Sequence, residues 1–241
     1  MSLRVDPTTA ESLARSLLLP LYPEDALADL AKARATDANP AKNPRMLAAQ
    51  AETAEVFTKL ADQALGGRPG GGGLDLDFSD ASVHRLGAAL TREARDRLIA
   101  TPGPDGVPLL AHFILHAVAY VGECVVRNHE GVWQLRRPMW ESLVRLRSRA
   151  GEGDLALLSW LVRALSDEEI GRGLLAERYR LNVEVPTAKP EDLPIIAEPG
   201  RRLPRLKQPK YDTLHKYLRA HLPGLSDLGG DFPSPERFAD M

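Results

Sequence analysis

Five residues able to do chemistry recur at helical spacing between positions 112 and 127: His112, His116, Tyr120, Glu123 and Arg127. At about 100° per residue, with His112 set at zero, the other four fall at about 40°, 80°, 20° and 60°. They make one narrow polar stripe, and Ile114, Val118, Val121 and Val125 cover the opposite face. A solvent-facing stripe usually carries Lys, Glu and Gln. Two histidines, a tyrosine, a glutamate and an arginine are instead a hydrogen-bonding set of mixed charge. As a ligand groove, the stripe would use Glu123 or a histidine as general base and Arg127 to hold an anionic group. As scaffold, it would meet a neighbouring helix or sheet in a polar network. Glu123 and Arg127 also stand at i,i+4 in the favourable order, an ordinary helix ion pair.

Other chemistries fit the residues less well. His112 and His116 have the spacing that sets two imidazoles on one ion. Glu123 lies about 10 Å further along the axis, position 113 is Phe rather than the Glu of HExxH, and a third ligand would have to come from elsewhere, such as His84. No metal and no cofactor are expected. Cys124, the single cysteine, falls near 120° on the wheel, inside the apolar face. A catalytic thiol needs an electropositive, partly exposed place, so Cys124 reads as a small core residue. GxSxG, P-loop and GxGxxG patterns are absent, and the glycine run at 70–73 lacks the Lys-Ser/Thr of a phosphate cradle.

A second feature is basic. Arg201, Arg202, Arg205, Lys207, Lys210, Lys216 and Arg219 stand against one acid, Asp212, with Tyr211 and Tyr217 interleaved. Arg136, Arg137, Arg145, Arg147 and Arg149 add a second cationic stretch. Such an arm can dock an acidic protein, lie on its own domain, or grip phosphates and stack on bases. The formal net charge of -2 and the pI near 6.3 speak against a dedicated nucleic-acid binder. Arg201, Arg202, Arg205, Lys207, Lys210, Tyr211 and Tyr217 are therefore expected to bind a protein partner.

The elements that must position these residues are mostly helical. Thr8-Thr9-Ala10-Glu11 reads as a capping box for a helix ending at Pro20. Pro23-Glu24-Asp25 opens a second, with Leu27, Leu30 and Ala31 as its stripe. Asn43-Pro44 opens a third, an N-cap followed by proline at N1, with Leu47, Ala54, Phe57, Ala61 and Ala64 in period. Gly66 to Gly73 has linker composition; the helices before it form a small lobe or pack onto the rest. Ser79 caps a helix carrying Val83, Leu86, Leu90 and Leu98, and the striped helix runs over 108–128. Strands are expected at 132–136, 143–147 and 155–158, with a turn at 150–154, and helices at 160–165 and 174–180. Trp133, Trp140 and Trp160 cluster in or beside this sheet and mark core. From Val185 the prolines at 186, 190, 194, 199, 204 and 209 favour extended chain, followed by a short helix at 211–221.

The fold class is thus α+β: predominantly helical, with a small antiparallel meander of about three strands and a proline-rich C-terminal arm. The expected divisions are 1–65, a helical segment; 66–75, the linker; 76–184, the core domain; and 185–241, the basic arm. The longest apolar run, Val107 to Val126, has the length of a membrane span, but His112, His116 and Glu123 interrupt it, so it reads as a buried helix. No membrane association is expected. With one cysteine and no secretory pattern at the start, the expected location is cytoplasmic.

Three stretches, LDFSDASVHRL (76–86), AYVGECVVRNHEGVW (119–133) and RPMWESLVRLRS (137–148), together resemble a group of uncharacterised bacterial proteins. Their pattern is an acidic-aromatic-Ser helix start, a helix carrying Tyr-x-Gly-Glu, then Gly-x-Trp entering a strand. The resemblance spans about 76–180 and implies the α+β layout, a bacterial origin and no particular activity. The leading expectation is a non-catalytic adaptor or accessory protein, regulatory or immunity-like, acting through protein contacts. The alternatives are an enzyme or small-ligand binder using the 112–127 stripe, and nucleic-acid binding through the arm.

Overall fold

The striped helix is apolar nearly all round, and a helix of that kind must be wrapped by its neighbours. The computed structural model, which describes residues 5–38, 43–65, 73–148 and 151–189, shows that wrapping. In chain order the helices are α1 (Ala10–Leu17), α2 (Glu24–Ala28), α3 (Leu30–Thr36), α4 (Pro44–Leu65), α5 (Asp80–Ala89), α6 (Arg92–Ala100) and α7 (Leu109–His129). Strands β1 (Val132–Gln134), β2 (Leu143–Ser148) and β3 (Gly151–Leu155) follow. Then come α8 (Leu157–Ala164), α9 (Leu174–Tyr179), a π turn at Arg180–Glu184, and the single turn α10 (Val185–Thr187).

Helix α7 is the axis of the core. By length and composition it could cross a membrane, yet 72% of its most apolar window is buried inside the protein. The long helix α4 packs along it, and α5, α6, α8, β1 and β2 also touch it. Ala54 and Ala61 keep α4 close, and Phe57 meets Phe113 edge-on with ring centroids 5.2 Å apart. Of the two arrangements open to the first three expected helices, packing onto the rest is the one seen, and α4 joins the common core.

The sheet is antiparallel, in the order β1-β2-β3. Trp133 pairs with Val144, and Val144 with Leu155. These three, with Leu146, turn inward into the core around α7. The outer face carries Arg145 opposite Asp154, joined by two hydrogen bonds of 2.9 and 3.1 Å. That alternation is the expected signature of a half-buried sheet.

Several expected boundaries are corrected by burial and capping. The box at α1 is Thr9 with Ser12, not Thr8 with Glu11; this frame turns Leu13 and Leu17 fully inward, and Glu11 pairs with Arg15 instead. The helix also stops at Leu17, before a 3-10 turn over Leu19–Leu21. Asp29 breaks the second expected helix by capping α3 through the Lys32 amide, which leaves Leu27 exposed. Thr91 likewise divides the 79–98 helix by capping α6, so that Leu90 and Leu98 both reach the core. The strand expected at 155–158 lies at Gly151–Leu155, over the expected turn, and Leu157 already begins α8. Asp154 finds its partner Arg145 only in that register. Val185–Thr187 continues the helical path where extended chain was expected.

Candidate functional site

The centre of the stripe forms a clasp. Gly122 has no side chain, and a Cβ there would fall 2.1 Å from Trp133 Cη2. The indole lies flush on the helix for that reason. Its Nε1–H then donates to Glu123 Oε1 at 2.9 Å, and Arg127 Nε donates to Glu123 Oε2 at 3.4 Å. Both carboxylate oxygens are thus engaged, and Glu123 is only 7% exposed. Gly131 admits the Val125 and Val144 methyls close to the turn that carries Trp133.

One turn earlier, Tyr120 is fully buried against Phe57 and Phe78. Ser82 Oγ donates to the Ser79 carbonyl at 2.6 Å. The Tyr120 hydroxyl therefore donates to Ser82 Oγ at 2.5 Å and accepts from the Phe78 amide at 3.1 Å. Burial holds the tyrosine hydroxyl well above its ordinary range. Phe78 takes a positive φ of 63°, and the Arg127 guanidinium lies 3.6 Å from its ring centroid. Arg127 also pairs with Glu55 on α4. Tyr-x-Gly-Glu and Gly-x-Trp are therefore two halves of one joint between α7, the α5 entry and the sheet.

The remaining stripe residues do not converge on a ligand. His116 Nδ1 lies 2.7 Å from the His112 carbonyl oxygen, and His112 packs beside Gly103 with its Nε2 buried and unpartnered. His84 bonds to Glu184 at 2.9 Å rather than approaching either histidine. Among the described residues, no three His, Cys, Asp or Glu side chains gather as a metal site. Cys124 is buried, and desolvation pushes its thiol up to about 12, so it carries no reactive thiolate at neutral pH. Neither surface recess described below is lined by any of the five stripe residues.

At the C-terminal end of α7 lies a polar group that no sequence pattern announced. Asp80, first residue of α5, accepts from Tyr179 OH at 2.7 Å, His129 Nε2 at 2.9 Å and Asn128 Nδ2 at 3.1 Å. On its other side, His129 Nδ1 faces Thr187 Oγ at 2.7 Å. Burial, and then the bond to Asp80, raises the Tyr179 hydroxyl far above its ordinary range. His129 and Thr187 line an open recess of about 450 Å³, together with Arg147 and Lys189. The chain separations are 49 between Asp80 and His129 and 58 between His129 and Thr187. Only tertiary structure brings them together.

A second recess, about 580 Å³, runs between α1 and α8. Leu18, Leu19, Tyr22, Leu158 and Val162 form its apolar wall, and Leu19 is 43% exposed. At its floor Tyr22 donates to Glu141 Oε1, and Arg34 bonds to Oε2 at 2.8 Å. Trp140 meets Tyr22 edge-on. The rim charges are balanced: Glu11 pairs with Arg15, and Arg163 with Glu169.

The expected partner-binding residues Arg201, Arg202, Arg205, Lys207, Lys210, Tyr211 and Tyr217 lie outside the described residues. Of the second cationic stretch, Arg137 pairs with Asp25 and Arg145 with Asp154. Trp133 is core, whereas Trp140 and Trp160 are partly buried at its edge. No protein-family model matches this chain, and no curated protein or solved structure matches it either.

Proposed function

We propose that the chain is an adaptor or accessory protein that binds another protein, and that the α1–α8 recess receives that partner. The supporting observation is the recess itself: an apolar wall beside a half-exposed leucine, over a floor where Tyr22 and Arg34 both engage the Glu141 carboxylate. A hole of this size admits one or two anchoring side chains. Because the rim charges cancel in pairs, the occupant is an uncharged anchor, leucine or phenylalanine, on an amphipathic segment of the partner. Well-packed anchors of this kind dominate interface energetics. The basic residues at 201–219 give a second contact, with an acidic part of the same partner. A cytoplasmic setting is part of the same proposal, since a single free cysteine fits a reducing compartment.

The test is capture with the full chain, with Leu19→Glu, and with a chain truncated at Gly200. The expected result is one specific protein, lost with Leu19→Glu and weakened by truncation and by salt. A partner retained equally by all three would overturn the reading, as would the absence of any specific partner. A nucleic acid captured with steep salt dependence would move the function to the arm.

A further inference from the structure

The geometry points to a catalytic site at the end of α7, in which Thr187 is a nucleophile activated by His129 and oriented through Asp80, acting on carboxylic esters. This goes beyond docking and departs from the expectation of a non-catalytic chain. Three features carry it. The first is order: a carboxylate, an imidazole and a hydroxyl stand in line, at 2.9 Å from Asp80 to His129 Nε2 and 2.7 Å from His129 Nδ1 to Thr187. A nucleophile within hydrogen-bond reach of a base that a third group orients is the general signature of covalent catalysis. The second is rigidity. Asp80 sits at the N-terminus of α5 and accepts from three side chains, so it binds Nε2–H and leaves the Nδ1 lone pair of neutral His129 towards Thr187. The third is access. Thr187 and His129 open onto a recess of about 450 Å³ whose wall includes Lys189 and Arg147, the latter loosely paired with Glu152 at 4.0 Å.

At rest Thr187 Oγ donates to the Val183 carbonyl oxygen at 2.6 Å, with a longer contact of 3.4 Å to the Glu184 carbonyl. Turning that proton onto Nδ1 is the activating movement. Thr187 Oγ then attacks the ester carbonyl carbon as its proton passes to Nδ1, with Lys189 or Arg147 facing the developing oxyanion. The ester C–O bond breaks, and the proton on Nδ1 goes to the departing alkoxide. The acyl group rests on Thr187. Water attacks it with His129 again as base, releasing a carboxylic acid and restoring the threonine hydroxyl.

The same contacts would also fasten α5, α7 and α10 together, so the test must read more than stability. The full chain is treated with a fluorophosphonate probe and, separately, with p-nitrophenyl acetate. Thr187→Val, Thr187→Ser and His129→Gln are run in parallel, and folding is checked by melting. The expected result is a burst of one nitrophenolate per chain, and probe attached to Thr187 in the peptide mass map. Thr187→Ser keeps both signals. Thr187→Val, folded, loses the label and slows hydrolysis by about 10²-fold or more, the scale of a general-base contribution. Absence of labelling overturns the proposal, as does label on Lys189 or Cys124. So does a Thr187→Val chain that hydrolyses the ester as the parent does. If His129→Gln fails to fold, the two Thr187 variants still decide.

Discussion

The middle and the end of α7 carry similar residue types in opposite states. At the middle, Tyr120, Glu123 and Trp133 have each hydrogen-bonding group engaged and nearly all their surface buried. Six residues after Glu123, His129 also has both ring nitrogens bonded, but its network runs out into a recess and ends on a partly exposed hydroxyl. The difference is one of cover. The middle of α7 is enclosed by α4, α5 and the sheet, whereas at its end His129 is covered but its partners Asp80 and Thr187 reach the surface and the recess. A polar set under cover fixes the fold; a similar set at an opening is free to meet a ligand.

The comparison breaks first where packing is tightest. Trp133→Ala should cost about 3–5 kcal/mol in urea unfolding, as large buried aromatics do. Gly122→Ala should cost about 1–3 kcal/mol or more by forcing the indole off the helix. A Gly122→Ala chain as stable as the parent would show that the sheet slides away freely and that the clasp is loose.

Alkali gives a second separation. Tyr22, Tyr120, Tyr179 and Cys124 all have folded pKa values raised by burial. The unfolded chain therefore releases these protons at lower pH than the folded one. The Cys124 contribution is present below about pH 9 and is lost as pH rises towards about 12, while the tyrosines begin to lose theirs above the ordinary tyrosine value of about 10. Unfolding midpoints in urea should fall steadily above pH 9. Cys124→Ala should blunt the onset of that fall, at the cost of a small cavity.

Smaller effects sharpen the contrast. Tyr120→Phe removes a hydroxyl that serves Ser82 and the Phe78 amide, and should cost about 1–2 kcal/mol by calorimetry. Thr187→Val keeps the shape and touches a partly exposed site, so its change should stay within about 0.5 kcal/mol. A Thr187→Val loss as large as that of Tyr120→Phe would place the end of α7 in the same structural class as its middle.

Much of this arrangement was legible in the residues. The 3.6 period gave α4 and α7, Ser79 and Asn43-Pro44 marked real caps, and the wheel placed Tyr120, Glu123 and Arg127 on one face. Whether that face was open or sealed depended on Trp133, ten residues beyond Glu123 and folded back by the turn at Gly131. The glycine at 122 was the local hint, since it marks close approach of another element. The shifted β3 was hidden because Gly151 and Gly153 suggest a turn, while Asp154 belongs to a strand only through Arg145. The Asp80–His129–Thr187 line was illegible for a plainer reason: its members come from three separate helical elements and share no spacing.

The central claim, that Glu123 is a structural acceptor for the Trp133 indole, is tested most directly by a double-mutant cycle in urea. Glu123→Ala, Trp133→Phe and the double variant are compared with the parent chain. Glu123→Ala alone should lose about 1–3 kcal/mol, because it leaves a buried N–H without a partner. The loss should shrink by about 1 kcal/mol or more when Trp133 is already Phe. Additive losses, or a Glu123→Ala chain that melts with the parent, would contradict the account and return Glu123 to the list of candidate catalytic groups.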